Sequence, residues 1–313
     1  MAEGQFKSSD LPIVDGRTYH LDLRPEELAK NIIIVGDPDR VAFIADEFLG
    51  TREIDRFHRG LRTITGCVKE TGQRVSIVTS GMGTPSLEIV LNEIVALNEN
   101  DFHTKKRRAE YETLTIIRVG TSGGLQPDTE LGTSIITAYA VGLDNTGLFY
   151  NAPYQETFKM LEAAVRQSID GAISDHSRFK GKIFPYASKA HEDVVDALER
   201  EARRLGVQYK KGITVSNSGF FANQGRSMSR VPSTVPGIDA LLASMDTGIK
   251  GLKVENMEME ASFLLYFMGA LGYRAGVICP IIDKRDDNKF TSEYAPYIKD
   301  ATKVALGALN GLK

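Results

Sequence analysis

Apolar runs of strand length alternate with helical patterns along most of the chain. Ile32-Ile33-Ile34-Val35 stops at Gly36-Asp37-Pro38-Asp39-Arg40, where the strand's end leaves no room for a side chain, and a helical pattern follows to about Phe48. Leu61 to Lys69 and Arg74 to Thr79 read as a hairpin joined by Glu70-Thr71-Gly72-Gln73. A glycine-rich turn, Ser80-Gly81-Met82-Gly83-Thr84, leads into Pro85, which suits a first helical residue. Leu87, Val90, Leu91, Ile94, Val95 and Leu97 then recur at helical spacing. Further on, Leu114 to Val119, Ser134 to Val141, Gly212 to Ser218 and Ala275 to Ile282 read as strands. Residues 155–168 and 191–205, Glu258 to Leu271, and Glu293 to Leu309 read as helices. Such alternation predicts an α/β fold with a mixed, largely parallel sheet covered by helices. With no repeat, low-complexity stretch or linker, residues 1–313 are expected to form one domain. The segment from Asn145 to Gly181 fits the pattern least and reads as an insertion that packs at a subunit contact.

Composition narrows the class. A 313-residue chain with 42% hydrophobic and 25% charged residues can bury a large core. Its net charge of −3 gives no electrostatic reason to expect nucleic acid or an acidic membrane as partner. Cys67 and Cys279 are too few for a disulfide framework, lie in no metal-ligand spacing, and read as buried inert thiols. Met1 to Gly16 lacks the apolar stretch of a secretory signal, and Ala261 to Leu271 is shorter than the ~20 residues of a membrane span. A cytoplasmic protein is expected.

Three glycine-rich segments follow strands, where α/β folds gather ligands. Gly36 to Arg40 offers backbone amides beside an arginine, or else is a plain turn. Ser80 to Pro85 lies at a helix N-terminus, which favours anions. Arg118 sits inside a buried strand and therefore needs a partner. Either it pairs with a core carboxylate, or it binds a phosphate with help from Thr121 and the neighbouring amides. Its planar fork suits the second task.

Gly-Asp-Pro-Asp-Arg at 36–40, Ser-Gly-Met-Gly-Thr-Pro-Ser at 80–86, Arg-Val-Gly-Thr-Ser-Gly-Gly at 118–124 and Asn-Met-Glu-Met-Glu-Ala at 256–261 occur in order. Together they resemble the nucleoside phosphorylase-I family, its uridine phosphorylases in particular, from about His20 to Asp283. The resemblance implies a three-layer α/β/α domain around a twisted mixed sheet. It implies that Gly36, Arg40, Arg118 and Thr121 hold phosphate, with Arg59 added from a neighbouring subunit. Glu258, Met259 and Glu260 resemble the family's ribose clamp, and His20 its contact to the sugar's 5′-hydroxyl across the subunit interface. Phe220-Phe221-Ala222-Asn223-Gln224-Gly225-Arg226 resembles the segment that reads uracil: Phe220 stacks, while Gln224 and Arg226 bond its edge.

The implied reaction is phosphorolysis of uridine to uracil and ribose 1-phosphate. Arg118, Gln224 and Arg226 would be the catalytic groups, inorganic phosphate the co-substrate, with no cofactor. The implied assembly is a homodimer with shared active sites, open to further assembly as a hexamer. Gly60 replaces a glutamate that helps hold potassium in many bacterial relatives, so no metal is expected. Ile282-Asp283-Lys284-Arg285 departs from the pyrimidine pattern. Purine-specific relatives place an aspartic acid near this point to protonate the leaving base, which makes purine nucleoside phosphorolysis the nearest alternative. A nucleosidase using water, and a non-catalytic binding protein, are the remaining ones.

Overall fold

The computed structural model describes residues 5–284 and 288–312, so Met1 to Gly4, Arg285 to Asp287 and Lys313 lie outside the described residues. The chain forms two compact units, residues 1–117 and 118–313.

In the first unit, strand Asn31–Val35 runs parallel to Arg74–Thr79, which pairs antiparallel with Leu61–Val68, which in turn pairs with Leu49–His58. Asn31–Val35 is buried throughout, as an apolar run covered on both faces should be. Helices Pro38–Phe48 and Thr84–Glu99 follow the two glycine loops. Asp37 caps the first, its side chain accepting from the Arg40 amide at 2.8 Å. The expected hairpin is present. Leu49–His58 was not expected as a strand, because most of its residues are exposed and it has no apolar stripe.

The N-terminal segment is fastened to this unit by Glu27. Its carboxylate accepts two bonds from Arg17, at 2.6 and 2.9 Å, one from the Arg24 amide and one from Arg56. Burial pushes the Glu27 carboxyl up, but these donors outweigh it and bring it down to about 2. Arg74 adds bonds to the Leu28 and Glu26 carbonyls.

In the second unit, Ser134–Gly142, Tyr209–Ser216, Val254–Glu258, Ser122–Gly124 and Arg274–Lys284 pair in that order, and Arg274–Lys284 returns to pair with Ser134–Gly142. The ring mixes parallel and antiparallel ladders and is extended by Tyr186–Lys189. Helix Glu156–Ala172, inside the segment that fitted the pattern least, buries Phe158, Leu161, Val165 and Ile169 in its own unit's core. Helices Glu192–Leu205 and Ala295–Gly311 lie close to their expected limits. Among the described residues no helix is long and apolar enough to cross a membrane.

Two expectations need correction. Glu258 to Leu271 is not one helix: Glu258 ends strand Val254–Glu258, and the helix runs Ala261–Ala270. Two acids before an apolar run look like a first turn, yet here the chain leaves a strand before it coils. Cys67 is only partly buried, because its strand pairs with the exposed Leu49–His58, whereas Cys279 is buried.

Candidate active site

In the first unit, Arg59 and Gly60 form the two-residue turn between Leu49–His58 and Leu61–Val68, with φ of 52° and 79°. Positive φ at both central positions marks a type I′ turn, so Gly60 has a structural reason to be glycine. The Arg59 guanidinium lies 5.1 Å from the centre of the Tyr19 ring and donates to its hydroxyl at 3.3 Å. His20 bonds Glu93 twice, through its amide at 2.9 Å and its ring Nδ1 at 2.7 Å, and Glu93 also accepts from the Leu21 amide. Buried Glu93 thus fixes both the backbone and the ring at His20. Arg40 meets Asp37 at 3.3 Å. The space beside Gly36 is open: an added Cβ would meet nothing within 4 Å, contrary to the expected crowding.

In the second unit, Arg118 is 4% exposed. Its Nη2 donates to Glu260 and lies 3.4 Å from Glu258, and its Nη1 donates to the Cys279 thiol. Burial works against the charge on Arg118, but Glu260 and Glu258 outweigh it and hold its pKa above the ordinary value. Burial likewise pushes the Cys279 thiol up to about 12 in spite of Arg118. The core-carboxylate partner considered for Arg118 is therefore real, and it consists of Glu258 and Glu260. Gly120 is required by this packing, since a Cβ there would fall 1.6 Å from the Arg118 Nη1. Thr121 follows, half-buried.

Glu258 and Glu260 differ in their surroundings. Glu258 accepts from the Ser216 hydroxyl and from the amides of Glu260 and Ala261, so it caps the helix that begins at Ala261. Burial raises its pKa, with Arg118 opposing. Ser216 belongs to a buried chain: it accepts from the Ser262 amide, and the Ser262 and Tyr186 hydroxyls both donate to Asp144. Met259 is half-buried between the two glutamates.

The segment Phe220 to Arg226 is brought together by Arg226. Its Nη1 donates to the Phe220 carbonyl and to Gln224 Oε1, each at 2.7 Å, and its guanidinium lies 3.8 Å from the centre of the Phe220 ring. Its Nη2 meets Asp283 at 2.8 Å. Gln224 is buried, and its Nε2 faces the Glu258 carbonyl at 3.5 Å. The segment Phe220 to Arg226, the two glutamates and Arg118 thus lie in one connected network within the second unit, and Asp283 joins it as the partner of Arg226.

Sequence reasoning missed Glu93, Ser216 and Gly120. Glu93 carried a signal: it is a charge on the apolar stripe that runs through Val90, Leu91 and Ile94. Ser216 carried none, because a serine at a strand end reads as the start of a loop.

A sequence profile described as the Phosphorylase superfamily matches residues 30–310, through both units. The chain is 31% identical over 309 residues to a uridine phosphorylase of Thermococcus kodakarensis, covering 96% of this chain and 91% of that one. A DeoD-type purine nucleoside phosphorylase of Listeria monocytogenes is 30% identical over 251 residues, 74% of this chain and 100% of that one. Among solved structures, a nucleoside phosphorylase of Trypanosoma brucei, described as showing uridine phosphorylase activity, superposes with a TM-score of 0.86 at 31% identity, covering 96% of this chain and 99% of that one.

Proposed function

The chain belongs to the phosphorylase superfamily, and from that membership we propose that it is a uridine phosphorylase, cleaving uridine with phosphate to uracil and ribose 1-phosphate. The observation that carries the choice of base is Arg226, bonded to Gln224 and stacked on Phe220. Gln224 can donate and accept, matching the N3–H and a carbonyl of uracil, and Arg226 donates to a carbonyl where charge builds as the base leaves.

In the proposed mechanism the C1′–N1 bond loosens, the ribose gains oxocarbenium character, and phosphate attacks C1′. The bonding pair departs with uracil, and Arg226 and Gln224 stabilise that charge by preorganised electrostatics. No covalent enzyme intermediate or cofactor is used. Within the second unit, Arg118 and Thr121 are assigned to phosphate, Glu260 to the ribose hydroxyls and Met259 to an apolar contact with the sugar, with Glu258 holding the loop that presents them. Within the first unit, Gly36, Arg40 and Arg59 are assigned to phosphate and His20 to the 5′-hydroxyl. The test is uracil release from uridine with and without phosphate: release should require phosphate or arsenate. Undiminished release in phosphate-free buffer would leave the nucleosidase alternative.

We assign His20 and Arg59 to the active site of a second subunit, which makes the working unit a dimer with composite sites. Arg59→Ala and Arg226→Ala, each nearly inactive alone, should complement when their subunits exchange. Half the dimers are then mixed and hold one intact site of two, so activity should return to roughly a quarter of wild type. Exchange without recovery would put both arginines in the same chain's site.

A further inference from the structure

Beside this network the second unit contains a cavity of about 310 Å³ with Asn217 among its lining residues. Asn217 follows strand Tyr209–Ser216 and is 0% exposed. Its backbone is settled, since its N–H donates to the Glu258 carbonyl at 2.9 Å. Its side chain is not: neither Nδ2 nor Oδ1 has a partner, and among the described residues no other side chain has two such buried atoms. A buried amide left unpaired costs stability, so an unpaired donor and acceptor on a residue that lines a cavity point to something that completes them.

The walls indicate what that is. Leu143, Ile169, Val235 and Ile238 give the cavity apolar sides, and Phe179 adds an aromatic face. Lys182, the one charged lining residue, is exposed. The volume is at the small end of ligand pockets and suits a ring of one or two cycles. Asn217 presents a donor and an acceptor side by side, and either orientation of the amide offers the same pair. The group that satisfies both is an N–H adjacent to a C=O within one ring. We propose that this cavity is a second ligand site, binding a small neutral cyclic amide through two hydrogen bonds to Asn217.

Phe220, Gln224 and Arg226 do not line the cavity, whereas Asn223, beside Gln224, does. An occupant would therefore rest against the short turn Ala222–Gln224 that carries one of the proposed base readers.

The test uses δ-valerolactam as probe and its N-methyl derivative as control, titrated into the full chain by ligand-observed NMR. The lactam should bind wild type and Arg226→Ala alike, and the N-methyl compound at least tenfold more weakly. Asn217→Leu should lose the lactam at least tenfold, and without ligand it should melt at a higher temperature than wild type, because the unpaired amide is gone. Val235→Phe, which fills the cavity and leaves Asn217 in place, should also lose it. Three results would overturn the proposal: no lactam binding to wild type, binding indifferent to Asn217→Leu and Val235→Phe, or binding lost in Arg226→Ala. The first leaves the cavity to water, and the last places the lactam at the base-reading segment.

Discussion

Arg118→Ala is expected to lower the rate of phosphorolysis by about 10²–10³, as loss of one preorganised charge-stabilising donor does. It is also expected to destabilise the chain by about 3–5 kcal/mol, because Glu258 and Glu260 would remain buried without their cation. The two effects can be separated with Arg118→Lys. Lysine keeps a charge between the glutamates and should fold, but it lacks the planar fork that binds two oxygens at once. With Arg118→Lys the KM for phosphate should rise more than the KM for uridine. If only the uridine KM rises, Arg118 is a positioning residue for the ribose clamp and the phosphate assignment fails. The geometry makes this a real choice, since Arg118 touches both glutamates of that clamp.

Arg226→Ala is expected to nearly abolish uridine turnover, and wild type should prefer uridine over inosine by several orders of magnitude. A site built to hydrogen-bond its ligand discriminates strongly, since a wrong base leaves buried donors and acceptors unpaired. Asp283 supplies the contrast. Its carboxylate meets the Arg226 guanidinium at 2.8 Å, so in the uridine reading it orients the arginine and does not protonate the base. Asp283→Asn can still accept from Arg226 and should keep uridine activity within about tenfold, one lost neutralising contact being worth roughly 1.4 kcal/mol. Steady-state rates on both nucleosides for the two variants decide the matter. Inosine as the better substrate, with Asp283→Asn inactive, would make the chain a purine nucleoside phosphorylase.

The sequence pattern carried the buried strands well, because Ile32 to Val35 is a continuous apolar run and Leu114 to Val119 a mostly apolar one, as burial on both faces requires. It did not carry Leu49–His58. An edge strand exposed along most of its length needs no alternation, so its six polar and charged residues read as loop. For the site, an arginine inside a buried strand announced that it needed a partner, but not which one. Its glutamates stand 140 and 142 positions further on, and only the fold brings them to it. Asn217 was invisible for a different reason. Asparagine after a strand is ordinary turn chemistry, and nothing local shows that its side chain turns inward unpaired.

The turn at Arg59 and Gly60 makes the first unit's hairpin a ruler. A residue other than glycine or asparagine held at positive φ costs about 1 kcal/mol, and Arg59 sits there at φ 52°. How far the guanidinium reaches is set by strand length alone. One residue added to each flanking strand would move the tip about 3.4 Å and swing Arg59 to the opposite face. Two added to each would restore the face and carry the charge about 7 Å further out. Leu49–His58 is thus constrained more in length than in composition, and insertions there should be rarer among functional relatives than substitutions.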